Sequence, residues 1–186
     1  SYRETITITP RNYEFFFRMV PPLSTHFAMI GMADVVDDYP LYYDATNEVG
    51  LSIAGLNFPG NAYYQPVPEH PLFLCSQSTE TTTFDAEKAS VPKNTPIAHI
   101  APFEFIPWVL GQCKTIQDAK QLLARTTFVQ LDFSKDLPNT PLHYIIADKN
   151  ASITVEPMRS GLKIYDNPVG VLTNNPPFET QLFQLH

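Results

Sequence analysis

Two asparagines are the residues best placed to do chemistry. Leu56-Asn57-Phe58-Pro59-Gly60 and Leu172-Thr173-Asn174-Asn175-Pro176 each put an asparagine at the end of an apolar run, just before a chain reversal. A rigid strand ending there can aim an amide donor at a substrate, and such donors stabilise the oxyanion of acyl transfer. Asparagine also favours turns, so the pattern alone leaves both readings open. The other polar groups offer less. His26, His70, His99, His143 and His186 show no metal-ligand spacing. Asp34, Asp37 and Asp38 gather before Tyr39-Pro40, where a solvated loop or capping role suits them better than a hard cation. Cys113 follows an apolar stretch and reads as a packed thiol with nothing beside it to lower its pKa. There is no G-x-S-x-G elbow, H-E-x-x-H, C-x-x-C, Walker A loop or G-x-G-x-x-G. No cofactor or metal is implied.

The elements that must position these residues read as strands, then helices, then strands. Glu4 to Thr9 alternates E-T-I-T-I-T, the period of a half-buried strand. Tyr13 to Val20 and Phe27 to Val36 read as further strands. Pro40 to Asp44 leads to a turn at Asn47-Glu48-Val49-Gly50, and Leu51 to Phe58 returns. Pro102 to Gln112 forms a short apolar helix around Phe105 and Trp108. Thr115-Ile116-Gln117-Asp118 opens a second helix through Arg125 with a capping box, placing Ile116, Ala119, Leu122 and Leu123 on one face. Strands return at 128–133, 142–147, 152–156, 162–165 and 169–173, and residues 178–186 begin a helix. This order predicts an α+β layered domain rather than alternating βαβ units. Residues 1–186 form a single domain, with a Ser/Thr-rich insertion near 70–95 that includes Cys75. Eighteen prolines keep the elements short.

Bulk properties exclude several classes. Scattered positive charges and a net charge of −7 argue against nucleic acid as a partner. No stretch reaches the roughly 20 apolar residues of a membrane span. Two cysteines are too few for a disulfide framework, and reduced thiols point to the cytoplasm.

Longer runs resemble the choloylglycine hydrolases. They are Asp37-Asp38-Tyr39-Pro40-Leu41-Tyr42-Tyr43-Asp44-Ala45-Thr46-Asn47-Glu48, continuing to Gly55-Leu56-Asn57-Phe58-Pro59-Gly60, then Pro102-Phe103-Glu104-Phe105-Ile106-Pro107-Trp108, Leu137-Pro138-Asn139-Thr140-Pro141-Leu142-His143, and Tyr165-Asp166-Asn167 through Val171-Leu172-Thr173-Asn174. The family includes bile salt hydrolases and penicillin V acylases, and these runs are more similar to the former. The resemblance implies an N-terminal-nucleophile hydrolase fold, an αββα sandwich of two antiparallel sheets between helical layers. It implies cleavage of glycine- or taurine-conjugated bile salts by an N-terminal cysteine, whose own α-amine is the base, through an acyl-enzyme. The position matching Asn57 gives its backbone N–H, and that matching Asn174 its side-chain amide, to the oxyanion hole. Loops matching Val36, Phe133 and Leu137 line the steroid pocket. The family resemblance also implies a homotetramer.

The same resemblance puts the nucleophile cysteine ahead of Ser1, and a late arginine and a large C-terminal portion beyond His186. The chain is therefore expected to be a piece of the family domain, inactive by itself. Ser1 is not expected to replace the cysteine, because it matches an internal strand entrance. A penicillin V acylase and a non-catalytic steroid-binding homologue are the alternatives.

Overall fold

The computed structural model describes residues 4–68 and 98–185. Strands β1 (Thr5–Thr9), β2 (Met29–Val36), β3 (Tyr39–Asn47) and β4 (Ser52–Asn57) come first. Strand β5 (Ala98–Ile100), a 3₁₀ turn (Pro102–Glu104) and helices α1 (Phe105–Gln112) and α2 (Ile116–Leu123) follow. Strands β6 (Thr126–Phe128), β7 (Leu142–Ala147), β8 (Ser152–Met158) and β9 (Gly161–Asp166) then lead to helix α3 (Phe178–Gln184). The α+β class holds. Of the two antiparallel sheets expected, the described residues form one, of seven strands in the order β1-β2-β3-β4-β7-β8-β9. Strands β5 and β6 add a short parallel ladder.

Local chemistry explains most of these elements. Asp37 and Asp38 are both at positive φ (50° and 62°) between the paired residues Val36 and Tyr39. That is the backbone of a two-residue type I′ hairpin, a conformation aspartate tolerates, so this part of the acidic cluster is a turn. Helix α1 is buried from Phe105 to Gly111, as a helix apolar on all sides must be. Its last carbonyls need partners, and Asn47 Nδ2 donates to Leu110 O and Cys113 O at 2.8 Å each. Helix α2 has the expected capping box: Thr115 Oγ1 accepts from Asp118 N at 3.2 Å, and Asp118 Oδ2 accepts from Thr115 N at 3.0 Å. Ile116, Ala119 and Leu123 face the core.

Three expectations need correction. Residues 13–20 are not a strand; only Phe15 pairs, in an isolated bridge with Leu23. Phe15 and Phe17 are buried and Phe16 exposed, so the alternation is real, but it reflects an extended segment without a ladder. The strand expected over 128–133 is β6, ending at Phe128. Beyond it Gln130 N donates to Gln65 O, and Ser134 and Leu137 close a tight loop. Residues 169–173 form no strand, because Asn167 ties the chain into a turn. Its Nδ2 donates to Val171 O at 3.0 Å and its Oδ1 accepts from Gly170 N at 2.9 Å. In β1 the buried side is the threonine side. Register pairs Thr9 with Met29 on the core face, leaving Ile6 and Ile8 exposed. The expected insertion near 70–95 lies outside the described residues.

Candidate active site

A cavity of about 680 Å³ opens where β3, β4 and β7 meet the 3₁₀ turn before α1 and the loop of residues 133–140. That is within the range of small-molecule sites. Its walls are mostly apolar, with Leu41, Leu56, Phe103, Ile106, Phe133 and Leu137 among the lining residues, and both Asn57 and Asn174 reach it.

The Asn57 corner is built from the sheet. Strand β4 pairs with β7 from Ser52↔Ala147 to Asn57↔Leu142, so Asn57 is the last residue the ladder fixes. Phe58 is fully buried, and its N–H donates to Pro141 O at 2.7 Å. The Asn174 corner is built from side chains. Gln181 of α3 accepts from Thr173 N at 3.1 Å, and its Nε2 donates to Thr173 O at 3.0 Å and Pro176 O at 2.6 Å. Asn61 Nδ2 donates to Asn175 Oδ1 at 2.6 Å, joining the two corners directly.

Buried polar groups fix the remaining walls. Glu104 accepts from Arg18 N at 2.6 Å and Ala101 N at 3.2 Å. These bonds set the turn that presents Phe103, while burial holds the Glu104 carboxyl above the usual carboxylate range. Phe103 meets Phe133 edge to face at 5.2 Å. Tyr64 OH donates to Thr140 O and accepts from Leu142 N, both at 2.8 Å, tying the 138–142 loop to the core. Burial pushes its phenol up to about 12. Tyr144 is fully buried and its OH donates to Pro102 O at 3.2 Å. Cys113 is 2% exposed, and burial with nearby Asp118 pushes its thiol up to about 12. A thiol so far from ionisation is a packing group, not a nucleophile.

Of the residues expected at the site, Asn57, Asn174, Phe133 and Leu137 line one cavity. Val36 is not among the lining residues; it ends β2 beside the Asp37-Asp38 turn. Sequence reasoning missed Tyr42 and Tyr43, neighbours that both line the cavity. In a regular strand they would face opposite sides. The register instead shifts between Met32↔Asp44 and Ala33↔Tyr42, which leaves Tyr43 as the extra residue of a bulge. Asn139 was missed as well. It lines the cavity, and its carboxamide is buried without a hydrogen-bond partner among the described residues. Among those residues no three His, Cys, Asp or Glu side chains gather as metal ligands.

The sequence matches the linear amide C–N hydrolases of the choloylglycine hydrolase family over residues 1–83 and 79–186. The chain belongs to this family. A bile salt hydrolase/transferase of Lactiplantibacillus plantarum is 47% identical over 186 residues, which cover 100% of this chain and 49% of that protein. The crystal structure of an arginine-to-leucine variant of conjugated bile acid hydrolase from Clostridium perfringens superposes with a TM-score of 0.78 at 31% identity. That match covers 100% of this chain and 49% of that one. Penicillin V acylase from Agrobacterium tumefaciens shares the fold at a TM-score of 0.61, with 18% identity over 95% of this chain and 45% of that one. The chain thus spans about half the length of the choloylglycine hydrolase relatives it matches.

Proposed function

We propose that this chain supplies the oxyanion hole and part of the steroid pocket of a hydrolase that cleaves glycine- or taurine-conjugated bile salts. Asn57 offers its backbone N–H and Asn174 its side-chain amide to the oxygen of the tetrahedral intermediate. The nucleophile is a cysteine thiol on the segment that the family resemblance puts ahead of Ser1, with its α-amine as base. Leu41, Leu56, Phe103, Ile106, Phe133 and Leu137 give the apolar surface that a steroid ring system needs. The observation that carries this reading is that Asn57 and Asn174, far apart in sequence, line one apolar-walled cavity. Acyl transfer of this kind needs only the thiol, the amine and the oxyanion donors, so no cofactor enters. Penicillin V acylase is a weaker reading because it rests on fold likeness alone. Among the described residues no helix is long and apolar enough to cross a membrane. By family resemblance we take the assembly to be a homotetramer in a bacterial cytoplasm.

The test is release of glycine or taurine from glycocholate and taurocholate. It compares the 186-residue chain with a form that also carries the cysteine-led and C-terminal segments. Release by the longer form alone supports the proposal. A folded longer form that releases neither amino acid contradicts it, and release by the shorter chain would put the nucleophile within these 186 residues.

A further inference from the structure

Behind the cavity, the two asparagine corners converge on one buried polar pair. His143 and Glu156 both have 0% side-chain exposure, and His143 Nδ1 shares a hydrogen bond of 3.1 Å with Glu156 Oε1. His143 lies on β7 opposite Leu56 of β4. Its ring stacks face to face on Phe58, with centroids 4.1 Å apart and planes 7° from parallel, and Phe58 directly follows Asn57. Glu156 lies on β8, and the same Oε1 accepts from Phe178 N at 2.9 Å. Phe178 opens α3, the helix whose Gln181 holds the backbone on both sides of Asn174.

An ionisable pair in this position is a poor source of stability. Burying two such groups costs more than their contact returns unless every remaining polar atom is satisfied. Here His143 Nε2 and Glu156 Oε2 are buried with no hydrogen-bond partner among the described residues. Two apolar side chains of similar volume would hold the sheet at least as well. They could not accept the Phe178 N–H, which has no partner inside its own helix. Nor could they fix the angle of the ring beneath Phe58. The arrangement serves geometry more than stability.

We propose that His143 and Glu156 are positioning residues that set the two oxyanion-hole asparagines relative to each other. This rests on the roles given to Asn57 and Asn174 above. His143 acts on the Asn57 corner through Phe58, and Glu156 acts on the Asn174 corner through Phe178 and α3. Neither is among the residues lining the cavity, so both act through the loops they hold.

The decisive variant is His143→Leu with Glu156→Leu, made in the form that carries the cysteine-led and C-terminal segments. Expected are a Tm lowered only modestly, because the buried Phe178 N–H loses its acceptor, KM within about twofold, and kcat lower by about 10–100-fold, the scale of loss from misplacing groups by an ångström. Amide hydrogen exchange should quicken over residues 172–178 and 55–60. Glu156→Gln, which keeps both volume and the acceptor for Phe178 N–H, should stay near the unsubstituted protein. If the double variant does not fold, Glu156→Met against Glu156→Gln makes the same comparison at matched volume. Retained kcat with unchanged exchange in the apolar variant overturns the proposal, as does a Gln variant as impaired as Met. If the unsubstituted protein releases no amino acid, the bile-salt reading fails and the exchange data alone decide the positioning role.

Discussion

The two corners of the cavity are built by different means. Asn57 ends a strand paired along its length to β7 and is followed by the fully buried Phe58. Asn174 lies outside any strand, on an exposed loop fastened by Gln181 and by the Asn61–Asn175 bond. A corner made of ladder and core opens only when much of the domain opens. A corner fastened by a few exposed hydrogen bonds opens locally at lower free energy. Damage behind Asn57 should therefore appear in global stability, and damage behind Asn174 in turnover with stability largely kept.

The largest expected effect is on the first corner. Phe58→Ala should lower the unfolding free energy of the chain by about 3–5 kcal/mol, as loss of a buried aromatic ring does. Urea denaturation reads it, and a fall under about 1 kcal/mol would break the comparison, because such core truncations normally cost several times more. At the second corner, Gln181→Ala should change the unfolding free energy by only about 1 kcal/mol, the usual net worth of exposed hydrogen bonds. Turnover by the form with the cysteine-led segment should still fall about tenfold, because the loop carrying Asn174 loses its fastening. A control far from both corners sharpens the contrast. Thr115→Ala removes the N-cap of α2 and should cost about 1 kcal/mol in a thermal or urea melt while leaving kcat unchanged.

The smallest effect concerns Cys113. Its folded thiol sits at about 12, above the ordinary 9.0, so the native state favours the neutral form. The resulting stability is complete below the unfolded pKa and is lost as pH rises from there toward about 12. In a Cys75→Ser background, a thiol reagent at pH 8 should leave Cys113 unmodified until denaturant is added. Rapid native labelling would contradict its packing role.

The same contrast explains what could be read from the sequence. Strand β4 and its terminal Asn57 were legible because apolar run, turn residues and fold agree locally. The α2 capping box was legible because both its partners lie within four residues. The loop after β9 was misread as a strand because Asn167 binds its own neighbours, and composition does not distinguish a β-branched turn from a β-branched ladder. The bulge that brings Tyr42 and Tyr43 to one cavity depends on pairing with β2, and no property of residues 42 and 43 announces it. The His143–Glu156 pair was invisible for a similar reason, since its meaning lies in contacts with Phe58 and Phe178 from distant segments. The roles expected of Asn57 and Asn174 came from the family resemblance, because the local pattern left both asparagines undecided between turn and donor.

The most direct measurement compares kcat for taurocholate in Asn174→Ala and Asn57→Ala, both with the cysteine-led segment in place. If Asn174 gives its side-chain amide and Asn57 only its backbone N–H, the first variant loses about 10²–10³ in kcat, while the second stays within a few-fold of the unsubstituted protein. Equal losses, or a loss confined to Asn57→Ala, would contradict the assignment of the two donors.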